Sequence, residues 1–190
     1  MSGTVAVFGG SFNPPHAAHA LVASYVLCCY DIDELLVVPT AVHPFGKPLA
    51  PFHHRLKMTQ LTLRALHSVT VSDLEQRLGG TSHTLRTLRA AAVERPGSDL
   101  RLVIGTDILP SFPSWHRAEE VAALAPLLVV GRAGHASSAA EHLPQLPAIS
   151  STDIRQRVRS DASTQGLLAP AVAAYIAEHQ LYRDTLEVDR

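Results

Sequence analysis

The sequence predicts a doubly wound α/β fold: a mostly parallel, Rossmann-like sheet with helices on both faces and further helices at the C-terminal end. Three observations predict it. Short apolar runs alternate with segments of helical period along most of the 190 residues. The connections between successive runs are about a dozen residues or longer, which suits parallel crossovers rather than hairpins. The most unusual segments, 9–19, 39–47 and 105–116, each follow directly on an apolar run. That places them at the carboxyl ends of strands, where open parallel sheets hold ligands.

The elements follow in order. TVAVFGG (4–10) is a short apolar run ending in glycines, read as a buried strand. SFNPPH (11–16) is a loop stiffened by two prolines. Residues 18–30 read as a helix, with Ala20, Leu21, Ala23, Ser24, Leu27 and Cys28 on its inner face. Residues 33–42 form a second strand, ended by Pro39. A long loop, HPFGKPLAPFHHR, leads into a helix over 55–66 with Leu56, Thr59, Gln60, Leu63 and Leu66 on one side. Residues 69–75 are a short strand and its exit. Residues 81–97 read as a helix opened by Thr81 or Ser82 and stopped by Pro96-Gly97. DLRLVIGTD (99–107) is a central strand and LLVVGRAG (127–134) another. The stretch 135–148 lacks periodicity. Residues 149–159 open with cap-forming hydroxyls before a short helix. Residues 167–182 close the chain with a helix whose first turn accepts Pro170 and whose inner residues are Val172, Ala173, Ile176 and Ala177.

One domain over 1–190 is expected from the length. Sixteen basic and 17 acidic residues leave a formal charge of -1, and apolar residues make up 46%. This balance gives no bulk affinity for nucleic acid or anionic membrane. No apolar run approaches the ~18 residues of a membrane span. The start, MSGTVAVFGG, lacks the pattern of a signal peptide, so a cytoplasmic location is expected. Cys28 and Cys29 are adjacent and read as buried, reduced thiols.

Four pieces carry chemistry. The strand–glycine–helix passage through Gly9, Gly10 and Ser11 has the outline of a phosphate site, although a glycine pair also serves simple turns. No GK[ST] or GxGxxG accompanies it. His16 and His19 share the first turn of a helix. They read as donors to an anion, held protonated by phosphate, or as a zinc pair, or as a capping pair. In ISSTDIR (149–155), Ser150, Ser151 and Arg155 gather hydroxyls, free amides and a guanidinium, either as a second anion grip or as an ordinary capped helix. Arg157 and Arg159 read as exposed charges. In IGTD, Asp107 follows a strand end and suits ribose hydroxyls or a metal. Trp115, the only tryptophan, either stacks on a flat heterocycle or anchors its own loop. No covalent triad stands out.

These residues carry a resemblance. GGSFNPPHAAHA resembles the GGxFxPxHxGH signature of the HxGH nucleotidyltransferase superfamily, and ISSTDIR resembles its second signature, ISSTxIR. VPTAVHPFGK (38–47), IGTD, the Trp115 loop and the ending LAPAVAAYIAEHQLY are similar to nicotinate-nucleotide adenylyltransferases. The resemblance implies adenylyl transfer from ATP to a pyridine mononucleotide, with release of pyrophosphate and no covalent enzyme intermediate. It implies that His16, His19 and Arg155 are catalytic, with His19 stabilising the transition state. Gly9, Gly10, Ser11, Phe12, Ser150 and Ser151 are implied to hold ATP phosphates, and Asp107 its ribose. Lys47, Thr84 and Trp115 are implied to hold the acceptor, and Mg²⁺ to arrive with ATP rather than on protein ligands. The implied partners are ATP and nicotinate mononucleotide, with nicotinamide mononucleotide and phosphopantetheine as other acceptors and a homo-oligomer as one compatible state. A nucleotide-binding protein without catalysis is the reading from another class. The sequence departs from the family at Ala18, at HPFGK and at SHTLRTL (82–88), where His83 replaces an aromatic and Arg86 an acid. Arg86 is expected either to pair with a substrate carboxylate or to lie on the surface.

Overall fold

The computed structural model describes residues 3–135 and 143–183. Five strands, β1 (Thr4–Gly10), β2 (Glu34–Pro39), β3 (Val69–Val71), β4 (Asp99–Gly105) and β5 (Leu127–Val130), form one parallel sheet in the order β3-β2-β1-β4-β5. The chain winds outward from β1 through β2 and β3, then returns to β1's other side as β4. The sheet's switch point therefore lies between the carboxyl ends of β1 and β4.

Seven helices surround the sheet among the described residues: α1 (Ala17–Cys29), α2 (Phe52–Leu63), α3 (Leu74–Leu78), α4 (Thr84–Glu94), α5 (Ala118–Leu124), α6 (Ser151–Arg159) and α7 (Pro170–Glu178), with a 3₁₀ turn at Phe112–Ser114. Strand residues alternate between two cores because both faces are covered. Val5, Val7, Leu36, Val38 and Leu102 pack with Leu85 and Leu88 of α4. Ala6, Leu35, Val37 and Val103 pack with Ala23 and Val26 of α1. A third core joins Met58 of α2, Ile154 of α6, and Val172 and Ile176 of α7, so the two last helices are seated on α2.

Several expectations need correction. The segments 72–78 and 112–124 are not loops throughout: α3, the 3₁₀ turn and α5 occupy them. They are short, and the five residues of α3 are too few for a period to show. The inner face of α1 runs through Ala18, Ala23 and Val26, while Leu21 and both cysteines are exposed. Apolar residues surround this helix, so composition does not mark its buried side. In α2, Arg55 and Met58 are buried and Gln60 is exposed, because Arg55 turns inward to polar partners. Ala177 of α7 is exposed beside buried Val172 and Ile176. Helix α4 is capped by His83; Ser82 instead exchanges bonds with Val42, its Oγ accepting the Val42 N–H at 3.1 Å. Pro170 does occupy the first turn of α7, and the Ser150 hydroxyl caps α6 by accepting the Thr152 N–H at 3.2 Å. Within the aperiodic stretch, residues 136–142 lie outside the described residues.

Candidate active site

The loop after β1 is built around Phe12. Its φ of 45° lies in the left-handed region, an unusual place for a bulky side chain. Packing holds it there: the ring is buried, edge-on to Phe8 at 5.5 Å and 4.8 Å from the His19 ring. A side chain at position 10 would press on that ring at 3.2 Å, so glycine leaves the ring its place. At Gly9 an added Cβ would meet nothing within 4 Å, so that glycine leaves the strand end open.

His16 caps α1 and His19 follows on its first turn, with ring centroids 3.8 Å apart. The His16 backbone N–H donates to His19 Nδ1 at 3.1 Å. That bond fixes a tautomer: with Nδ1 as acceptor, neutral His19 carries its proton on Nε2. Burial first, then the Arg132 guanidinium, pushes the His16 imidazole down to about 4. Burial, His16 and Arg132 hold His19 well below the usual imidazole value. In the free protein both rings are therefore neutral near pH 7, and any charge on them has to come with a bound anion. Nothing nearby completes a zinc site: among the described residues no group of three or more His, Cys, Asp or Glu side chains is placed to hold a metal.

Arg132 escaped the sequence reading. It follows β5 by two residues and binds three elements together. Nη1 donates to Asp107 Oδ2 at 2.9 Å, Nη2 to the Ile149 carbonyl at 3.1 Å, and its backbone N–H to Thr106 Oγ1 at 2.9 Å. Thus it links the β4 exit to the start of α6 and also reaches the histidines electrostatically. Its signal was available: a lone cation straight after an apolar strand, at the ligand edge of a parallel sheet.

Asp107 is thereby held by one oxygen. The other, Oδ1, is buried without a partner, as is His16 Nδ1. Buried polar atoms are nearly always bonded. Among the described residues these two exceptions fall on the loops that leave β1 and β4, on either side of the switch point. Gly105 makes room for the carboxylate: a Cβ there would lie 2.2 Å from Asp107 Oδ1. Gly105→Ala is accordingly expected to cost about 1–2 kcal/mol, as a small overpacking, read as a lowered urea midpoint.

The late signature reaches the same loop. Ser151 Oγ donates to the Pro14 carbonyl at 2.9 Å, and Arg155 Nη1 to the Asn13 carbonyl at 2.8 Å. The start of α6 is therefore fastened to the loop that leads into the histidine turn. Arg155 is buried, and its Nη2 donates to Thr152 Oγ1 at 3.2 Å. It thereby holds the backbone of the loop that leads into α1. Arg157 and Arg159 are exposed, as expected.

Beyond β2, Lys47 lines a cavity of about 330 Å³ with His43, Pro51, Phe52 and Arg55. Glu75 of α3 anchors this loop, accepting the Ala41 N–H at 2.9 Å and the Thr87 hydroxyl at 2.8 Å. Thr84 and Trp115 do not line that cavity. Thr84 begins α4, and Trp115 packs beside Phe112 at 5.4 Å against the sheet core. The two segments meet where His83 faces His116 at 4.9 Å. Arg86 donates Nη2 to the Leu78 carbonyl at 2.6 Å and Nη1 to that of Gly79. Its guanidinium binds the end of α3 on the exposed surface, the second of the two places expected for it.

A cytidylyltransferase-like family model matches residues 7–157, from β1 through most of α6. A protein of Anaeromyxobacter dehalogenans described as a "probable nicotinate-nucleotide adenylyltransferase" is 43% identical over 182 residues, covering 94% of this chain and 96% of that one. One of Salinibacter ruber with the same description is 39% identical, covering 96% and 99%. The chain belongs to the nicotinate-nucleotide adenylyltransferase family. It is a nucleotidyltransferase, and the expected fold and family both hold. The Plasmodium falciparum nicotinic acid mononucleotide adenylyltransferase complexed with NaAD superposes with a TM-score of 0.83 at 21% identity, covering 97% of this chain and all of that one, which shows a shared fold. As a member of the family, this chain carries both histidines and Arg155 inside the matched span, while α7 lies beyond it.

Proposed function

We propose that this adenylyltransferase joins ATP to nicotinate mononucleotide, forming the deamido-NAD dinucleotide and releasing pyrophosphate. The observation that carries the reading is the pair of unpartnered buried atoms, His16 Nδ1 and Asp107 Oδ1, on the segments that leave β1 and β4 beside the switch point. A nucleoside triphosphate offers phosphate oxygens to the first and ribose hydroxyls to the second. In the reaction a phosphate oxygen of the mononucleotide attacks the α-phosphorus in line as the bond to the β-phosphate oxygen breaks. The protein aligns the reactants and stabilises charge, and no bond to the enzyme forms.

His19 Nε2–H is the donor for the charge that develops on the reacting phosphate. Ser11, the amides at the start of α1, and Ser150 at the start of α6 supply further donors. Lys47 is the cation for the acceptor phosphate, and Thr84 and Trp115 border its ring. Mg²⁺ enters as part of the MgATP substrate. It prefers oxygen ligands, and Asp107 Oδ2 is already engaged by Arg132. The descriptions of the relatives support nicotinate over nicotinamide, and ATP as donor supports a cytoplasmic setting.

The test is a panel of nicotinate mononucleotide, nicotinamide mononucleotide and phosphopantetheine with MgATP, read by pyrophosphate release. The highest kcat/KM is expected with nicotinate mononucleotide. Preference for another acceptor overturns the nicotinate assignment, and no release with any of them overturns adenylyl transfer itself.

A further inference from the structure

The loop that carries the phosphate-facing backbone is fastened from three distant parts of the chain. Arg55 of α2 donates Nη1 to the Ser11 carbonyl at 2.9 Å and Nε to the Ala50 carbonyl at 2.8 Å. Arg155 of α6 holds the Asn13 carbonyl. Tyr182, beyond the end of α7, donates its hydroxyl to Asn13 Oδ1 at 2.9 Å, across 169 residues of sequence. The same Oδ1 accepts the Ala50 N–H at 3.1 Å, which fixes which end of the amide is oxygen.

The consequences are geometric. In a trans peptide the C=O and the following N–H point in opposite directions. With the Ser11 carbonyl drawn to Arg55, the Phe12 N–H is turned away from that guanidinium. Asn13 is buried, so its side chain has no water to fall back on if Tyr182 lets go. Tyr182 itself lies at a φ of 65°, a left-handed backbone that a tyrosine rarely adopts. The Leu181 N–H bonds the Ile176 carbonyl, and α7 is packed on α2 and α6 through Val172 and Ile176. Tyr182 is thus placed, at some backbone cost, where its hydroxyl meets the loop.

We propose that Tyr182 is a positioning residue for adenylyl transfer: by bonding Asn13 it holds residues 11–14, and with them the histidine turn, in the geometry that ATP requires. The proposal rests on the adenylyl-transfer reading and adds to it a role for the C-terminal tail. Tyr175 provides an internal control. Its hydroxyl also ties the C-terminal region to α2, through His54 Nδ1 at 2.9 Å, but it has no bond to the loop.

Tyr182→Phe and Tyr175→Phe are compared with the wild-type protein in two measurements, pyrophosphate release and the rise in Tm caused by MgATP. Small displacements of reacting groups carry large rate penalties, so Tyr182→Phe is expected to lower kcat about tenfold. Its MgATP-induced rise in Tm should shrink, with the KM for the mononucleotide unchanged. Tyr175→Phe is expected to keep wild-type kcat. Asn13→Ala removes the same bond from its other side, and Tyr182→Phe added to it should cost no further activity. Wild-type kcat in Tyr182→Phe, an equal fall in both tyrosine variants, or losses that multiply in the double variant each overturn the proposal. If the wild-type protein releases no pyrophosphate with any of the acceptors, the functional reading fails separately. The MgATP thermal shift then decides the role of Tyr182, and equal shifts in wild type and Tyr182→Phe overturn it.

Discussion

Replacing His19 by alanine is expected to lower kcat by about 10²–10³-fold, or roughly 3–4 kcal/mol, the usual loss of one preorganised donor to a developing oxyanion. The expectation follows from a single hydrogen bond. Because His19 Nδ1 accepts the His16 N–H, the neutral ring must present Nε2–H as a donor. The ring is already packed against Phe12 and His16, so little reorganisation remains for the reaction to accomplish. Its neutral state in the free protein matters too. A donor that carries no charge before ATP arrives can gain strength as charge builds on the phosphate. His19→Gln, which keeps an N–H at the end of a side chain, should recover part of the loss. The measurement is kcat with saturating MgATP, beside circular dichroism to show a preserved fold. A rate within threefold of wild type, roughly the spread expected for an uninvolved surface position, removes His19 from the mechanism.

The sheet was legible in the sequence because its strands are buried on both faces. Val5–Ala6–Val7 and Leu35 to Val38 have no polar alternation to confuse with a helix, and each ends in glycine or proline. The helices that escaped notice, α3 and α5, are the shortest, and their capping residues, Asp73 and Arg117, make no side-chain cap bond. The misplaced inner faces of α1 and α2 share a different cause. In α1 apolar residues lie all round, and in α2 a buried arginine stands where pattern reading expects a leucine or isoleucine. Hydrophobic period cannot identify a side chain buried for its hydrogen bonds.

The site divides along the same line. His16, His19, Asp107, Ser151 and Arg155 were legible as local motifs, and the parallel topology brings their segments to one edge. What each bonds to was not legible. Asp107 needs Arg132 from 25 residues away, and Asn13 needs Tyr182 from 169. Such pairings are set by the fold rather than by spacing. Arg86 is a similar case: its exposed position was one of two legible alternatives, but the two carbonyls at the end of α3 that it bonds were not.

Acid is expected to weaken the fold well before carboxylates titrate, with a loss of about 3 kcal/mol from His16 alone as pH falls from 6.5 to 4. The sign follows from where the proton binds. His16 has its ordinary value of 6.5 when unfolded and about 4 when folded. Below pH 6.5 the unfolded chain gains a proton that the folded one refuses, so stability is full above 6.5 and declines until the folded ring also titrates. Burial and Arg132 act on His19 in the same direction, which adds to the decline. Against a total of about 5–15 kcal/mol for a folded domain, this is a large share. Glu34, held below its usual value of 4.5 by Arg95, also loses stabilisation in acid, but only below that value, so the interval from 6.5 to 4.5 reports on histidines; burial lowers His43 and His54 too, and their share is common to wild type and variant. Urea denaturation across that interval should show a falling midpoint in the wild-type protein and a flatter one in His16→Asn. A midpoint constant down to pH 4.5, or the same decline in both proteins, would show that the pair is not held neutral by the fold. MgATP should offset the decline, because its phosphates favour the protonated rings and bind more tightly as the imidazoles charge. The neutrality that costs stability in acid is thus the same property that leaves His19 an uncharged donor near pH 7.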